Sequence, residues 1–445
     1  MRHRAGSAAL LLVLGCGLAD AQGPAGSANP QPSSQTSTSA RPLTLAEAEA
    51  IALKNNPQIT VGRLRALVAE QYVRETRSAL LPNAYLNLTA VDANPGSRIA
   101  AGFLNNPILF PRAAGGASVN QLVTDFGRST NLLSSSELSA KAEDQNAAAT
   151  RADVLLAVDQ AFYNSLDTQA LVHVAEQTVE ARQTLVDKVQ ALTSAKLKSE
   201  LDLSFAKVEL ARAKLLLLES SNNFQAALAG LSAVLGYPAE QNFQLVDETT
   251  PLTPPAPDIQ PLIQQALEQR PEIKALQFEV ASSQKFGNAE HDLWRPSVNA
   301  LGVVGEAPVR DDHIPNWYGA VGVNINIPVF NGFLYNSRAK AADLKTEVDR
   351  QRLRDLENTI SRDVRVSWQD TNRAYERLSV TRQLREQANL ALDLAQARYN
   401  LGLGSIVEFT QAELQKTEAD IADADATYQY RLTQLVLAFT VAAPK

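Results

Sequence analysis

Two patterns of hydrophobic and polar positions divide this chain. From Gly319 to Ile327, valine and isoleucine at Val321, Val323, Ile325 and Ile327 alternate with glycine and asparagine. This period of two predicts a strand with one apolar face. The stretches Gly127–Ala195 and Gly332–Asn400 instead contain no proline and almost no glycine. Each predicts a single helix of roughly 100 Å at 1.5 Å per residue, which must pack lengthwise on other helices to bury its apolar stripe.

The chain contains an internal repeat. Pro57 and Pro271 lie in matching segments 214 positions apart, and Pro82 and Pro296 match at the same offset. Beyond these prolines the offset becomes 206, and it relates Asp125 to Asn331. The first repeat therefore has eight extra residues between Pro82 and Asp125, where we expect a loop. Asp125 and Asn331 are each predicted to be the N-cap of a long helix.

Each repeat is predicted to run helix, strand, strand, helix, helix. The predicted strands are Asn83–Val91, Ala117–Val123, Ser297–Gly305 and Gly319–Ile327. The predicted helices are Pro57–Leu80, Gly127–Ala195, Asp202–Leu235, Pro271–Leu293, Gly332–Asn400 and Val407–Phe439. The two shorter helices of a repeat together approach the length of its long helix. We therefore expect them to run end to end beside it.

The strands indicate a tube built from several chains. Each repeat supplies only two strands, and four strands cannot close a barrel around a channel. Their alternation of apolar with polar or small residues is typical of a membrane barrel that has lipid outside and water inside. Closure then requires several copies of the chain, and the pattern does not say how many.

The first residues predict bacterial export. Arg2 and Arg4 precede the short apolar segment Ala8–Leu14, which is too short to span a bilayer as a helix. Small residues favour cleavage after Ala21. The alternative is lipidation of Cys16, because the preceding residues resemble a lipobox.

We divide the chain into a signal peptide, a flexible leader, a first repeat, a proline-rich connector without regular structure, a second repeat and a short tail. Their bounds are 1–21, 22–42, 43–236, 237–258, 259–441 and 442–445.

Composition excludes several functions. The chain has 48 acidic and 41 basic residues and a net charge of −7, which argues against a nucleic-acid partner. One cysteine and four histidines, three of them far apart and one in the signal, argue against a disulfide framework and against a metal site. No pattern of nucleophile and base is present, so we expect no catalytic residues, no cofactor and no enzymatic activity.

Several segments together resemble the TolC family of bacterial outer-membrane efflux and secretion channels. They are Leu43–Ala48 with Asn55–Pro57, the strand entries Pro82 and Pro296, Pro328–Gly332, and Ala397–Glu408. The resemblance extends from about Leu43 to Thr440. It implies a fold that is mainly α with β: a homotrimer with a twelve-stranded β-barrel in the outer membrane and a periplasmic α-barrel of long, coiled-coil-like helices. It also implies a periplasmic adaptor protein and an inner-membrane transporter as partners. The alternative is a periplasmic coiled-coil scaffold without a pore, and the cargo stays open among drugs, metal ions and secreted proteins.

Two acidic residues are candidates for a gate at the periplasmic end. Asp202 and Glu408 occupy matched positions just after the helical turns. The resemblance implies that they lie near the closed end of the tube, where Arg398 and Tyr399 would supply polar links. The alternatives are a favourable carboxylate at a helix N-terminus and an ordinary exposed helix face.

The turn Gly402-Leu403-Gly404-Ser405 is the candidate docking site for the adaptor. It lacks the third glycine and the lysine of a phosphate-binding loop. The matching turn of the first repeat, Leu192–Ser199, has no glycine, so we expect unequal tips. Aromatic residues flanking the last strand fit a membrane-interface belt, and plain packing is the alternative. They are Trp317, Tyr318, Phe330, Phe333 and Tyr335.

Overall fold

A computed structural model describes residues 41–94, 110–247, 251–308 and 313–442. The predicted signal peptide, Cys16, most of the leader and nearly all of the tail lie outside the described residues. The described residues form the α-helices α1 Leu45–Asn55, α2 Pro57–Ser78, α3 Arg128–Ser194, α4 Glu200–Val234, α5 Gln260–Gln269, α6 Pro271–His291, α7 Leu334–Asn400 and α8 Ile406–Thr440. They also form the strands β1 Arg41–Leu43, β2 Asn83–Val91, β3 Arg112–Thr124, β4 Phe243–Leu245, β5 Ser297–Glu306 and β6 Trp317–Asn326.

The two-fold repeat is confirmed at the level of whole elements. α3 and α7 have 67 residues each, and α4 and α8 have 35 each. Their starts and ends differ by 206 positions throughout, as the sequence match predicts. Each repeat also opens with two helices rather than one, because the prolines Pro57 and Pro271 begin a new helix directly after α1 and α5. The single opening helix predicted for each repeat is therefore wrong.

The two shorter helices run end to end beside the long one, as predicted. Both α2 and α4 pack on α3. Asn56, the N-cap of α2, donates a hydrogen bond from Nδ2 to the carbonyl oxygen of Val234 at the end of α4, at 2.8 Å. Gly236 turns the chain here with φ +84°, and a Cβ at this position would lie 2.7 Å from the carbonyl oxygen of Asn55. The two helix ends can meet this closely only because residue 236 has no side chain.

The predicted N-caps Asp125 and Asn331 are wrong by two residues. The long helices begin after Gly127 and Phe333, because a pair of residues with left-handed backbone precedes each helix. The carboxylate of Asp125 still accepts a hydrogen bond from the backbone N–H of Ser129 at 2.8 Å, so it satisfies a donor of the first turn. The side chain of Asn331 has no hydrogen-bond partner among the described residues.

The connector between the repeats is not free of regular structure. β4 pairs in parallel with β1, and Leu43 lies opposite Leu245. Both leucines are buried in a core cluster with residues of α1, α3 and α4. The prolines of the connector begin at Pro251, after β4, apart from Pro238. They therefore leave Phe243–Leu245 free to form hydrogen bonds, and the predicted boundary of the leader at residue 42 falls inside β1.

The four longer strands form one antiparallel sheet in the order β2-β3-β5-β6. β3 begins at Arg112, five residues before its predicted start, because Gly115 and Gly116 belong to the strand. Glycine is a weak strand former, so the sequence pattern understates this strand. The hydroxyl group of Tyr318 occupies the space that side chains at Gly116 and Gly305 would need.

Candidate functional site

The register of the sheet separates its side chains onto two faces of opposite character. One face, which we call the apolar face, presents Ala84, Leu86, Leu88, Ala90, Ala113, Ala117, Val119, Ala300, Val304, Val321, Val323 and Ile325, and its polar members are Gln121 and Glu306. The other, the polar face, presents Asn83, Tyr85, Asn87, Thr89, Ser118, Asn120, Ser297, Asn299, Asn324 and Asn326, together with Leu301 and Val303. The apolar face is exposed, and Val321 keeps 92% of its surface accessible. A single sheet with one apolar and one polar face is suited to lie between an apolar and an aqueous medium.

The opposite end of the helices is formed by two turns, one between α3 and α4 and one between α7 and α8. Their backbones are alike despite their different sequences. Lys196 has φ +64° and Gly402, its match at the 206 offset, has φ +74°. The N–H of Leu197 donates to the carbonyl oxygen of Leu192 at 2.8 Å, and that of Leu403 donates to Arg398 at 2.8 Å. This is the Schellman closure of a helix C-terminus. The difference between the two tips that was expected from the missing glycines is therefore not seen in their backbone conformation.

The matched carboxylates Asp202 and Glu408 make different contacts. Asp202 completes a capping box, because its N–H donates to Ser199 Oγ at 3.1 Å and its carboxylate accepts from the N–H of Ser199 at 3.3 Å. Glu408 donates its own N–H to Ser405 Oγ at 3.1 Å, but its carboxylate accepts from Arg398 Nε at 3.0 Å. Asp202 is thus bound within its own helix terminus, whereas Glu408 bridges α7 and α8.

Gly404 makes room for the bridge between Arg398 and Glu408. A Cβ at this position would lie 3.1 Å from Glu408 Oε2 and 3.2 Å from Arg398 Cβ. Gly402 has open space around it and is required instead by its positive φ. The two glycines of this turn therefore serve different physical needs.

Tyr399 is a packed core residue of the tip. It is 3% exposed, and its ring stacks on that of Phe409 with the centroids 5.5 Å apart. Lys198 Nζ lies 4.1 Å from the centroid of the Tyr399 ring, within range of a cation–π contact. Burial, and then the charge of Asp202, raise the pKa of Tyr399. Its hydroxyl has no hydrogen-bond partner among the described residues, so within one chain this tyrosine joins the tips by packing.

Three contacts that the sequence analysis did not predict join the hairpins of the two repeats. Lys198 of the first tip lies over Tyr399 of the second. Lys188 Nζ on α3 donates to Asn400 Oδ1 on α7 at 2.7 Å. Deeper in the bundle, Arg182 on α3 forms an ion pair with Glu413 on α8. A charged residue between the buried positions of an apolar stripe was the available signal for this last pair.

The described residues show neither a metal-binding cluster nor a helix able to cross a membrane. They contain no group of three or more His, Cys, Asp and Glu side chains placed to hold a metal ion. Among the helices in the described part of the chain, none has a stretch sufficiently long and apolar for a membrane crossing.

Comparison with known proteins agrees with this architecture. The model of the outer membrane efflux protein family matches residues 50–237 and 262–442. The chain is 23% identical to the cobalt-zinc-cadmium resistance protein CzcC of Cupriavidus metallidurans over 310 residues, 69% of this chain and 68% of that protein. It is 22% identical to the outer membrane protein TolC of Escherichia coli over 395 residues, 86% of this chain and 78% of that protein.

Solved structures share the fold. The CmeC outer membrane channel of Campylobacter jejuni aligns with a TM-score of 0.75 at 15% identity, over 89% of this chain and 85% of that one. The MtrE outer membrane channel of Neisseria gonorrhoeae aligns with a TM-score of 0.72 at 16% identity, over 89% and 88%. With the family match covering most of both repeats, these findings establish that the chain is a member of the outer membrane efflux protein family.

Proposed function

We propose that three copies of this chain close into one continuous tube, the exit duct of a tripartite efflux or type I secretion assembly. A periplasmic adaptor and an inner-membrane transporter would complete that assembly, and the duct itself performs no chemical step. The observation that supports this most directly is the two-faced sheet. Lipid suits its apolar face, and water suits its row of amides and hydroxyls.

The edges of the sheet support closure by further copies. In the described residues, β2 and β6 each pair on one side only. A free strand edge inside a membrane would leave backbone N–H and C=O groups without partners. Pairing β6 of one copy with β2 of the next satisfies both edges, and three copies of the sheet give twelve strands.

Apolar seams on two helices support the same closure below the membrane. On α4, exposed apolar residues follow heptad spacing at Leu201, Phe205, Val208 and Leu215. On α7, exposed apolar residues with heptad spacing are Val380, Leu384, Leu394 and Leu401. The helices α3 and α4 form one hairpin, and α7 and α8 form the other. Because α3 contacts α8 within the chain, α4 and α7 lie at the outer sides of these two hairpins. We infer that α4 of one copy packs against α7 of the next.

The tip is proposed to be the gate and the docking site. Each copy contributes Asp202 and Glu408, and so a trimer has six carboxylates at this end. Crowded carboxylates attract cations and repel anions. In each copy, Arg398 holds the carboxylate of Glu408 by a hydrogen bond, and Tyr399 packs the second tip against the first. The turn Gly402–Ser405 lies between Tyr399 and Glu408 in the chain and is proposed to meet the adaptor.

A charge placed in the α4 seam tests the closure. Val208→Glu should prevent trimers, because it would bury a carboxylate without a partner between two helices. Lys207→Glu introduces the same residue at the neighbouring exposed position of α4 and should leave the trimer intact. The mass of the detergent-extracted complex and its conductance in planar bilayers are the measurements.

Two outcomes would oppose the proposal. A Val208→Glu protein that remains trimeric would show that the seam is not an interface. A wild-type protein that is extracted without detergent and conducts no ions would favour the scaffold without a pore.

A further inference from the structure

A cavity of about 380 Å³ lies where the joint between α5 and α6 and the end of α8 meet α3. Its walls are mostly apolar, and they include Ala152, Leu155 and Leu156 on α3 and Ala438 and Phe439 on α8. The volume lies within the range of about 300–1,000 Å³ that is typical of pockets for small molecules. The lining residues belong neither to the sheet nor to the tip, so the proposed channel gives this cavity no role.

A difference between the two repeats explains how the cavity arises. In the first repeat, the match of Arg270 is Asn56, which caps α2 and donates a hydrogen bond to the end of α4. Arg270 makes no side-chain cap at the start of α6. Its guanidinium group instead binds the carboxylate of Glu272, with Nε and Oε2 3.2 Å apart and Nη2 and Oε1 2.5 Å apart. The amide that joins two helix ends in the first repeat is thus replaced by a side chain that pairs within its own helix.

The turn after α8 also keeps the space open. Ala442 lines the cavity and has φ +50°, and its match in the first repeat, Gly236, has φ +84°. A Cβ at Gly236 would lie 2.7 Å from the carbonyl oxygen of Asn55. Because Ala442 carries a Cβ, the end of α8 cannot approach the joint between α5 and α6 as closely as α4 approaches the matching joint.

Carboxylates outnumber cations at the cavity. Asp159, which is 1% exposed, and Glu272 line it together with Arg270. Partial burial, and then the charge of Glu272, raise the pKa of Asp153 on α3, whereas Arg270 lowers it. Asp153 therefore lies in the same local field as the lining residues. Three carboxylates act here with one guanidinium group.

A second guanidinium group does not remove this excess. Arg431 on α8 and Asp159 both act on the hydroxyl group of Tyr163. Arg431 also pairs with Asp247, with Nη1 and Oδ1 3.2 Å apart. Among the described residues named for this region, four carboxylates thus face two guanidinium groups. The surplus negative charge attracts a cation.

The aromatic wall of the cavity can also face a cation. The guanidinium carbon of Arg270 lies 5.4 Å from the centroid of the Phe439 ring, within the range of about 6 Å for a cation–π contact. Apolar walls take up hydrocarbon, and the carboxylates and the ring favour a positive group attached to it. An anion would meet the surplus of carboxylates and a guanidinium group that already binds Glu272.

We propose that this cavity is a binding site for an amphipathic organic cation, a planar aromatic compound with an ammonium group. Its rings would lie between α3 and the end of α8, and its charge would lie toward Asp153, Asp159 and Glu272. The site goes beyond the proposed channel function and depends neither on the gate nor on closure of the tube, since one chain supplies every residue named for it.

A change of volume tests the position of the site. Ethidium is titrated into the full-length protein in detergent, and its fluorescence anisotropy is measured. Ala152→Leu fills the cavity and should abolish saturable binding, whereas Ala152→Ser adds one small group at the same position and should retain it. Binding of ethidium to the micelle is the same for all variants and cancels in the comparison. Equal saturable binding by wild type and Ala152→Leu would overturn the site.

A change of charge tests the class of ligand. Asp153→Asn should weaken ethidium binding about two- to fivefold, as expected for one partly exposed charge. Asp187→Asn is the matched control, because Asp187 is exposed on the same helix roughly 50 Å away at 1.5 Å per residue. Phenanthridine, the uncharged parent ring of ethidium, should bind more weakly than ethidium and should not respond to Asp153→Asn. Ethidium binding that is unchanged in Asp153→Asn, or equal binding of the two compounds, would refute a cation site.

Oligomer mass and conductance are recorded for the same variants. If Ala152→Leu fails to assemble, Asp153→Asn and the phenanthridine comparison still decide, because neither changes the packing of the core. A conducting wild-type protein that binds no ethidium would overturn this site and leave the proposed channel standing. A wild-type protein that binds ethidium and conducts no ions would support the site and count against the channel.

Discussion

The buried ion pair between the two repeats allows a quantitative prediction. The side chains of Arg182 and Glu413 are 4% and 11% exposed, and Glu209 on α4 also faces the guanidinium. Burial lowers the pKa of Arg182, and the charge of Glu209 opposes that shift. Arg182→Met would leave Glu413 buried without its cation. Removing one member of a buried pair costs about 3–5 kcal/mol. We therefore expect the local opening free energy of this part of the bundle to fall by about that amount.

Amide hydrogen exchange on the trimer measures this loss where it occurs. A loss of about 3–5 kcal/mol corresponds to exchange faster by roughly two to four powers of ten in α3 and α8 around the pair. Arg212→Met is the matched control, since Arg212 is 67% exposed and its removal leaves Glu209 beside the cation of Arg182. That substitution should cost less than about 1 kcal/mol. The double variant Arg182→Met with Glu413→Leu should recover most of the protection, because no unpaired charge remains at position 413.

The pH dependence of the single variant supplies an independent check. An unpaired buried carboxylate has a raised pKa, because burial disfavours its charged form. The deficit of Arg182→Met should therefore shrink as the pH falls and Glu413 takes up a proton. Wild-type protection in Arg182→Met, or a double variant as unprotected as the single one, would refute the reasoning.

Three further predictions concern the tip and the α3–α8 contact. Gly402→Leu should impair export and leave the trimer intact, because a left-handed leucine costs about 1–2 kcal/mol of strain at the docking turn. Lys196→Gly, the matched change in the other tip, should leave export unchanged, and normal export in Gly402→Leu would contradict the docking role. Asp202→Asn with Glu408→Gln should lower cation selectivity in planar bilayers, and wild-type selectivity would show that these residues only stabilise the helix ends. Burial, and then Asp425, raise the pKa of Asp167 to about 6, so its contribution to stability is greatest below about pH 4 and is lost as the pH rises through 6. Asp167→Asn should remove this loss between pH 4 and 6 in thermal melts, and an unchanged pH profile would contradict it.

Local signals were sufficient for the repeat, its long helices and its longer strands. Proline and glycine end helices and strands through their own backbone geometry, and the offset of 206 carries the turn between α7 and α8 onto the glycine-free turn between α3 and α4. The bounds of all four helices therefore followed from the sequence to within a few residues. The two faces of the sheet also followed, because side chains alternate along any strand. The predicted N-caps at Asp125 and Asn331 were wrong, since a phenylalanine shares the left-handed pair with the glycine in each repeat and phenylalanine gives no local signal for that conformation.

Contacts between distant segments were decided by the tertiary structure. The three-residue strands β1 and β4 pair residues 202 positions apart and have no pattern of their own, so only the core around Leu43 makes them pair. Lys196 adopts a glycine-like conformation because the carbonyl groups of Leu192 and Thr193 fix the turn around it. The sequence alone determined that this chain is a duplicated array of long helices and two-faced strands, since those properties depend on neighbours in the chain. The packing of one hairpin on the other decided which charges meet, such as Arg182 with Glu413, because such pairings depend on the distances between helices.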